Sequence, residues 1–295
     1  MFILSLLYFC QIFQYHLLVF PIKDYIVPVL AKNQLTDNVI EVVTETGGME
    51  WETGQYVSID VSKQVTRHSS LVTNGQSPVI IRRSYSMSTL SRSGKVGFIV
   101  DTKPLGPGSQ FFQNLKVGDE ISFKGPLGKF TLDSPSKQSR SKNFVFVATG
   151  TGIGPIRAMI DELLQVPRTK YQGPNIKLHF GLRTQKDIFW REHFNSLRDK
   201  FKFQFDYQIV LSRPGIAEHH SAHAWQGLTG HVNEHVMSFV TRQSSLVTSG
   251  QSPMTFYLCG NLGMITKVRS GLKEKGVREE NIYFESYYST EDSLT

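Results

Sequence analysis

The rhythm of apolar and polar residues changes near residue 143, and this change limits the folds open to the chain more than any other feature. From "NFVFVATG" to "NIYFESYY", short apolar runs alternate with amphipathic segments. Such alternation predicts a parallel sheet covered by helices, with ligands at the carboxyl ends of the strands. The first strand runs into the glycine turn "ATGTGIGP", which matches neither a Walker A loop nor G-x-G-x-x-G. A dinucleotide pyrophosphate would meet a helix N-terminus at this turn.

Residues before Ser134 follow a different pattern. They form about six extended segments, rich in β-branched residues and separated by turn signals. The spacing of these segments predicts an antiparallel barrel. We therefore predict two domains, at residues 23–134 and 142–290, with the polar, basic stretch "DSPSKQSRSK" marking the boundary.

Cysteine content and net charge exclude several kinds of site. Cys10 and Cys259 are the only cysteines, too few for a disulfide framework, a structural zinc site or an iron-sulfur cluster held by this chain. The histidines of "IAEHHSAHAWQGLTGH" lack the spacing of a ligand set, so we expect no metal. The net charge of +7 is spread along the chain, which favours an acidic protein partner over nucleic acid.

The first 22 residues carry no charged side chain and approach the length of a membrane span. They have neither the basic start nor the small-residue cleavage site of a secretory signal peptide. An interfacial helix and an extension from a misplaced start codon are the alternatives to an anchor. We expect a cytoplasmic protein, and membrane association through residues 1–22 is left open.

A 13-residue segment occurs twice, at Thr66 to Pro78 and at Thr241 to Pro253, with differences at two positions only. The sequence around the copies is otherwise unrelated, and both copies are polar and precede an apolar run. We interpret them as insertions into surface loops. A shared ligand site is the alternative.

The stretch "RRSYSMST", from Arg82 to Thr89, brings a cation, an aromatic ring and hydroxyl groups onto one strand. Alternation places Arg83 and Tyr85 on one face and Ser86 on the other. A flavin uses such groups: a guanidinium for its pyrophosphate, a flat ring against the isoalloxazine and a small donor near N5. Taken alone, the stretch also fits an exposed strand with a solvated arginine.

Other motifs follow this strand in order. Together, "RRSYSMST", "GPGSQFF", "GPLGKF", "ATGTGIGP", "YLCGN" and a terminal "FESYY" make the chain resemble the ferredoxin-NADP reductase superfamily of flavoprotein reductases, over roughly Asp24 to Tyr288. The resemblance implies a two-domain fold: an antiparallel β-barrel that binds FAD, followed by an α/β domain with a parallel sheet that binds NAD(P).

The resemblance also implies roles in FAD binding. Arg83 would hold the pyrophosphate, Tyr85 would stack on the flavin, and Ser86 would hydrogen-bond toward N5. Arg82 is a less certain second cation. Backbone amides of "LGPGSQFF" would meet the pyrophosphate at a helix start, through the residues Gly106, Gly108 and Ser109.

For NAD(P)H, the resemblance points to the glycine turn and the last two strands. Cys259 would lie beside the nicotinamide and Glu285 would approach it, so that these residues and Ser86 form the expected catalytic group. A low-pKa nucleophile and a buried small residue are the alternatives for Cys259. The ring of Tyr287 or Tyr288 would cover the flavin until nicotinamide displaces it. The remaining residues expected at the dinucleotide are Thr149, Gly150, Thr151, Gly152, Gly154 and Gly260.

The sequence after the second and third strands of the α/β half bears on the choice of coenzyme. An NAD site commonly has Asp or Glu directly after the second strand, whereas this chain has Arg183 there and Asp187 only later. Ser212 and Arg213 follow the third strand. These groups favour the 2′-phosphate of NADPH over NADH, although a solvated basic rim is the alternative.

The resemblance therefore predicts an FAD-dependent oxidoreductase that transfers hydride between NAD(P)H and FAD. We expect no attached iron-sulfur or haem module, so electrons would pass to a separate acceptor: ferredoxin, flavodoxin, a haem protein or a small molecule. A dehydrogenase with a carbon substrate is disfavoured, because no catalytic His or Tyr-Lys pattern is evident. A regulatory module that binds dinucleotide or flavin without catalysis is the rival hypothesis.

Overall fold

The computed structural model describes residues 20–62, 80–103, 105–132, 143–165, 173–215, 225–243 and 254–287. Several predictions from the sequence fall outside these ranges: residues 1–19 of the apolar start, the boundary stretch 133–142, the first copy of the repeated segment and Tyr288. The second copy begins at the end of a helix and lies outside the described residues from position 244 onward.

The first half of the chain forms a curled antiparallel sheet of six strands. In chain order they are β1 (Lys23–Gln34), β2 (Val39–Glu45), β3 (Tyr56–Asp60), β4 (Arg82–Ser86), β5 (Lys95–Asp101) and β6 (Glu120–Leu127). Their order in the sheet is β4-β3-β6-β1-β2-β5. A bridge between Met87 and Phe98 joins the two edge strands, so the sheet curls back on itself. The predicted barrel is confirmed.

The long strand β1 makes this curl possible. Its first half, Lys23 to Pro28, pairs with β6, and its second half pairs with β2 after an irregularity between Val29 and Ala31. Irregularities of this kind bend a strand and increase its twist. Helix α1 (Pro107–Asn114) closes the barrel, and the ring of its Phe112 lies 6.3 Å from that of Phe98.

The second half is a parallel sheet covered by helices. Its strands are β7 (Asn143–Thr149), β8 (Asn175–Leu182), β9 (Phe205–Leu211), β10 (Leu228–Thr229), β11 (Met254–Asn261) and β12 (Ile282–Tyr287). Its helices are α2 (Ile153–Gln165), α3 (Arg191–Lys200), α4 (Val232–Arg242) and α5 (Leu262–Glu274). This half has the predicted α/β architecture.

The order of these strands, β10-β9-β8-β7-β11-β12, places β7 next to both β8 and β11. The chain moves outward from β7 on one side and then returns to its other side. In open α/β sheets, ligands bind in the crevice at such a switch point, beyond the carboxyl ends of the strands. The glycine turn directly follows β7 and so lies at this point.

The amphipathic pattern of "KDIFWREHFNSLRDKF" predicts one continuous helix between β8 and β9, and the structure differs from this prediction. Only a short 3-10 turn, Gln185–Asp187, forms at first, and the helix begins at Arg191. Between them, Trp190 has φ 58°, the only positive φ of a non-glycine residue in the described ranges. Left-handed backbone interrupts a helix and is held in place by surrounding contacts. The domain limits 23–134 and 142–290 remain predictions.

Two properties of the described residues bear on membranes and metals. No helix there combines the length and apolarity that crossing a bilayer requires. Within the same ranges, no three potential metal-ligating side chains come together.

One buried histidine leads to a prediction about pH. His179, on β8, is 1% exposed, and neither ring nitrogen has a hydrogen-bond partner among the described residues. Burial, with a further effect of Lys177, lowers the pKa of His179 from 6.5 to about 3. Below pH 6.5 the unfolded chain therefore binds a proton at His179 that the folded chain does not bind until about pH 3. The free energy of unfolding decreases as the pH falls through this interval.

We expect His179→Leu to remove this pH dependence. Between pH 7 and pH 5, the wild type should lose roughly 2 kcal/mol of unfolding free energy more than the variant does. Urea unfolding at the two pH values measures the difference. His231→Gln, at an exposed position, is the control and should behave as the wild type. Equal losses in His179→Leu and the wild type would contradict the prediction.

Candidate functional site

Side chains from both halves of the molecule meet at the carboxyl end of the parallel sheet. Cys259 on β11 lies opposite Glu285 on β12 in the parallel register. The Ser86 hydroxyl, at the end of β4, donates a hydrogen bond to Glu285 Oε1. Tyr287 lies close enough to Cys259, Glu285 and Ser86 for these groups to affect its pKa, which burial raises well above its ordinary value. The structure thus brings together the three expected catalytic residues and one of the two candidate covering tyrosines.

Burial controls the protonation of this cluster. It raises the pKa of the Cys259 thiol well above its ordinary value, and the nearby Glu285 charge acts in the same direction. A thiolate nucleophile needs the opposite shift, so the structure favours an uncharged thiol. Burial also raises the pKa of Glu285, against a smaller opposing effect of the hydrogen bond from Ser86.

The glycines of the turn after β7 have different surroundings. Gly150 has φ 54°, and no atom would lie within 4 Å of a Cβ added there, so the turn faces open space at this residue. The 3-10 turn Gly150–Gly152 leads into α2 without a side-chain cap. Uncapped amides at a helix start, beside open space, suit a phosphate.

Gly152, Gly154 and Gly260 are packed closely instead. A Cβ on Gly152 would lie 2.6 Å from the carbonyl carbon of Cys259, and one on Gly260 would overlap the side chain of Thr149. A Cβ on Gly154 would lie 3.4 Å from the Ser88 side chain of the barrel. These contacts explain the glycines by packing, and a role for them in dinucleotide binding remains a prediction.

Sequence reasoning missed Asn261, although it stands in the motif "YLCGN". Its backbone N and its Nδ2 donate to Thr149 Oγ1 at 3.0 and 3.2 Å, and its Oδ1 accepts from the Met264 amide at 2.8 Å. Asn261 is therefore the N-cap of α5 and also ties β11 to the end of β7. An Asn between a strand and a helix is a recognisable capping signal.

The barrel side of the site fits an FAD pyrophosphate. Helix α1 starts after Gly106 without a side-chain cap, and a Cβ on Gly108 would lie 3.7 Å from Arg83 Cγ. An exposed guanidinium beside uncapped helical amides is a typical phosphate cradle. The hydroxyl of Ser109 donates to the Asp101 carbonyl at 3.2 Å, which gives that side chain a structural bond.

Tyr85 lies partly in the barrel core beside this cradle. Its ring centroid is 4.7 Å from that of Phe112, and the rings meet edge to face. Its hydroxyl lies against Gly108. Burial raises the pKa of Tyr85 to about 12, with a smaller opposing effect of Arg83, so the phenol stays neutral. Whether the ring stacks on a flavin remains a prediction.

The residues expected to select the coenzyme form a rim at the ends of β8 and β9. The Arg213 amide donates to the Arg183 carbonyl at 2.7 Å, and the Ser212 hydroxyl donates to the Leu182 carbonyl at 3.3 Å. Within the described ranges, neither guanidinium has an ion-pair or hydrogen-bond partner of its own. The nearby Asp187 carboxylate accepts from the amide and hydroxyl of Thr184, both at 2.8 Å.

A separate cavity of about 560 Å³ opens along the outer edge of β9. It is lined by residues that include Arg191, Arg198, Tyr207 and Trp225. None of Ser86, Cys259 and Glu285 contributes to its walls. This cavity is therefore separate from the candidate site, which lies where Ser86 of the barrel contacts Glu285 of the parallel sheet.

Comparisons with known proteins agree with this geometry. A model of the oxidoreductase FAD-binding domain matches residues 28–132, and a model of the oxidoreductase NAD-binding domain matches residues 146–270. The electron transfer component of anthranilate 1,2-dioxygenase from Acinetobacter baylyi is 25% identical to this chain. The match covers 72% of this chain and 55% of that protein. Ferredoxin-NADP reductase B from Sorangium cellulosum is 29% identical over 70% of this chain and 78% of its own length.

A solved structure supports the fold. The cytochrome P450 reductase GcoB from Amycolatopsis aligns with a TM-score of 0.71 and 21% identity, over 91% of this chain and 71% of that one. The two domain models match in the same order as the barrel and the parallel sheet, and together they account for most of the chain. The chain belongs to the ferredoxin-NADP reductase superfamily of FAD- and NAD(P)-binding oxidoreductases.

Proposed function

We propose that the protein is an NAD(P)H-dependent flavoprotein reductase that passes electrons to a separate acceptor. The observation that carries this proposal is the contact of Ser86 with Glu285, next to Cys259. It joins the strand expected at the flavin to the strands expected at the nicotinamide. Each half alone would be a binding domain, and the shared cluster supports a reaction between their two ligands.

In this proposal the chain contributes position rather than acid-base chemistry. When bound, FAD supplies a ring that takes up two electrons and releases them singly or in pairs. Ser86 and Glu285 hold each other at the end of β4, and the uncharged Cys259 thiol leaves a small surface for nicotinamide. Tyr287 lies near Cys259 and Glu285, and in this proposal its ring moves aside when nicotinamide enters. Hydride transfer then needs only that the reacting atoms of nicotinamide and flavin be held about 3 to 3.5 Å apart.

NADPH is the coenzyme that the rim favours. Among the described residues, no partner engages the guanidinium groups of Arg183 and Arg213, whereas the carboxylate of Asp187 accepts hydrogen bonds from Thr184. Cations suit a 2′-phosphate, and an engaged carboxylate is poorly placed for a 2′-hydroxyl.

We expect Arg213→Ala to raise the KM for NADPH about tenfold and to leave the KM for NADH unchanged, because one charge-assisted hydrogen bond is lost. Steady-state kinetics with both nucleotides measure this. Lys186→Ala removes an exposed cation near the rim and is the matched control. An equal change for both nucleotides in Arg213→Ala would contradict selection by the 2′-phosphate.

The acceptor is proposed to be a redox protein such as a ferredoxin, a flavodoxin or a haem protein, or else a small molecule. Two observations support a protein partner: the relatives include an electron transfer component of a dioxygenase, and the net charge of this chain is +7. Positive charge speeds encounter with acidic carriers. The proposal includes attachment to a membrane through residues 1–22, which carry no charged side chain.

An anaerobic titration of the purified, FAD-loaded protein tests the proposed function. NADPH and NADH are added separately while the flavin absorbance band is followed. Bleaching of the band is expected, with NADPH the more efficient donor. A flavin that stays oxidised with both nucleotides would instead support a regulatory module that binds flavin or dinucleotide without catalysis. A protein that retains neither FAD nor nucleotide would contradict both hypotheses.

A further inference from the structure

A buried charge lies between the two halves of the molecule. Arg157, on α2, is 15% exposed, and its Nη2 lies 3.6 Å from the Glu41 carboxylate on β2 of the barrel. Burial lowers the pKa of Arg157 from its ordinary value, and the Glu41 charge opposes that effect. Taking a guanidinium out of water is unfavourable, so its hydrogen bonds and packing must compensate.

The main hydrogen bond of Arg157 reaches the strand expected to hold the flavin. Its Nη2 donates to the Ser88 carbonyl at 3.0 Å. Ser88 stands two residues after Ser86, and its own amide donates to Gly97 on β5 at 2.9 Å. Arg157 therefore binds the barrel just after the end of β4, where the chain pairs with β5 and close to Ser86.

The Arg157 guanidinium also contacts a residue of its own α/β half. Its centre lies 3.7 Å from the ring centroid of Trp190, within stacking distance. Trp190 is the residue with left-handed backbone, an unfavourable conformation for a non-glycine residue that persists only when surrounding contacts hold it. The stacking of Arg157 and Trp190 is one such contact.

Helix α2 connects Arg157 to the turn where the nucleotide is expected to bind. The helix starts at Ile153, directly after the turn that contains Gly150, so Arg157 lies little more than one helical turn from it. Gly154, between them, packs on the Ser88 side chain. A rigid helix thus connects the expected phosphate turn to the carbonyl of Ser88.

We propose that Arg157 is a positioning residue, which holds the strand of Ser86 and the turn of Gly150 at the separation that lets flavin and nicotinamide stack. This inference rests on the proposed function. A hydrogen bond has a fixed direction and length, whereas an apolar contact tolerates sliding. Small errors in placement are costly, since a shift of about 1 Å can lower a rate about 100-fold.

The test compares Arg157→Met with Arg92→Met in the FAD-loaded protein. Arg92 is a suitable control because it also links the barrel to α2, through Gln165 at 2.7 Å, but at the exposed far end of the helix. For Arg157→Met we expect flavin reduction by NADPH, followed by stopped-flow absorbance, to slow at least tenfold. The long-wavelength band of stacked flavin and nicotinamide should weaken, while FAD content and the Kd for NADPH change less than threefold. Arg92→Met should match the wild type.

A second readout does not depend on turnover. Hydrogen exchange of the peptide spanning Ser86 to Leu90 should be faster in Arg157→Met and unchanged in Arg92→Met. If Arg157→Met does not fold, Glu41→Gln is used, which weakens the hold on the same guanidinium and should show the same pattern in smaller degree. If the flavin reduction rate, the long-wavelength band and the hydrogen exchange of Arg157→Met all match the wild type, the positioning role is wrong and the proposed function is unaffected. If neither nucleotide reduces the flavin of the wild-type protein, the proposed function is wrong. In that case, unchanged hydrogen exchange in Arg157→Met would also contradict the positioning role.

Discussion

Replacing Arg83 with alanine is expected to raise the Kd for FAD about 100-fold, so that the purified variant loses its flavin on desalting. Arg83 is exposed on β4, and the side-chain hydrogen bond it makes in the described part of the chain goes from Nη1 to the Arg82 carbonyl at 2.9 Å. The guanidinium is thus available to a ligand. It lies beside the uncapped start of α1, where a pyrophosphate would also meet backbone amides.

The size of the effect follows from the bonds that are lost. A guanidinium binds a phosphate through two charge-assisted hydrogen bonds, each contributing about 1.5 to 3 kcal/mol, and the remaining amides recover only part of this. The measurement is the ratio of flavin absorbance to protein absorbance, followed by titration of the flavin-free variant with FAD.

Arg82→Ala is the comparison for this prediction. Arg82 is the next residue on the same strand and points to the opposite face by alternation, so a smaller loss is expected. If Arg83→Ala keeps a full complement of FAD, the assignment of Arg83 to the pyrophosphate is wrong. If Arg82→Ala loses as much FAD as Arg83→Ala, both cations serve the cofactor.

Replacing Gly152 with alanine is expected to slow flavin reduction at least 100-fold in the protein that still folds. The added Cβ would lie 2.6 Å from the carbonyl carbon of Cys259 and 2.8 Å from the Gly260 nitrogen. Both are backbone atoms, and β11 is held in register against β7, with Cys259 opposite Ala148. The strain therefore separates the phosphate turn from the end of β11 at Cys259.

Overpacking of this kind costs about 1 to 3 kcal/mol of stability, and the displacement it forces falls between the two groups expected at the nicotinamide. Stopped-flow reduction by NADPH and thermal unfolding of the FAD-loaded variant measure the two effects. Gly263→Ala is the matched control, because its Cβ would have only an ordinary contact, 3.5 Å from Asn261 Oδ1. A wild-type rate in Gly152→Ala would mean that the phosphate turn and β11 are not coupled through this contact.

Most of the fold could be predicted from the sequence. The strand-rich first half and the alternating second half appear as predicted, and the glycine turn follows the first parallel strand. Patterns of this kind depend on neighbours a few residues apart, which a sequence displays directly. The helix expected from Lys186 onward begins later, because Asp187 and Thr184 cap a short turn instead.

The candidate site was only partly predictable. The resemblance pointed to Ser86, Cys259 and Glu285, and the structure places them together. Their spacing along the chain carries no such information, since Ser86 and Glu285 are 199 residues apart. Asn261 was overlooked, although its position between a strand and a helix is a local signal. The close packing of Gly152 against Cys259 has no local signal at all.

Local sequence patterns were enough to predict the two architectures, their order and the residue types at the phosphate turn, because helix and strand periodicity and glycine turns are local properties of the chain. The tertiary structure alone decided how the halves meet: Ser86 against Glu285, and Arg157 between Glu41, Ser88 and Trp190. These contacts join residues from separate strands and helices. They form only when both sheets are complete and packed together, so no stretch of sequence encodes them alone.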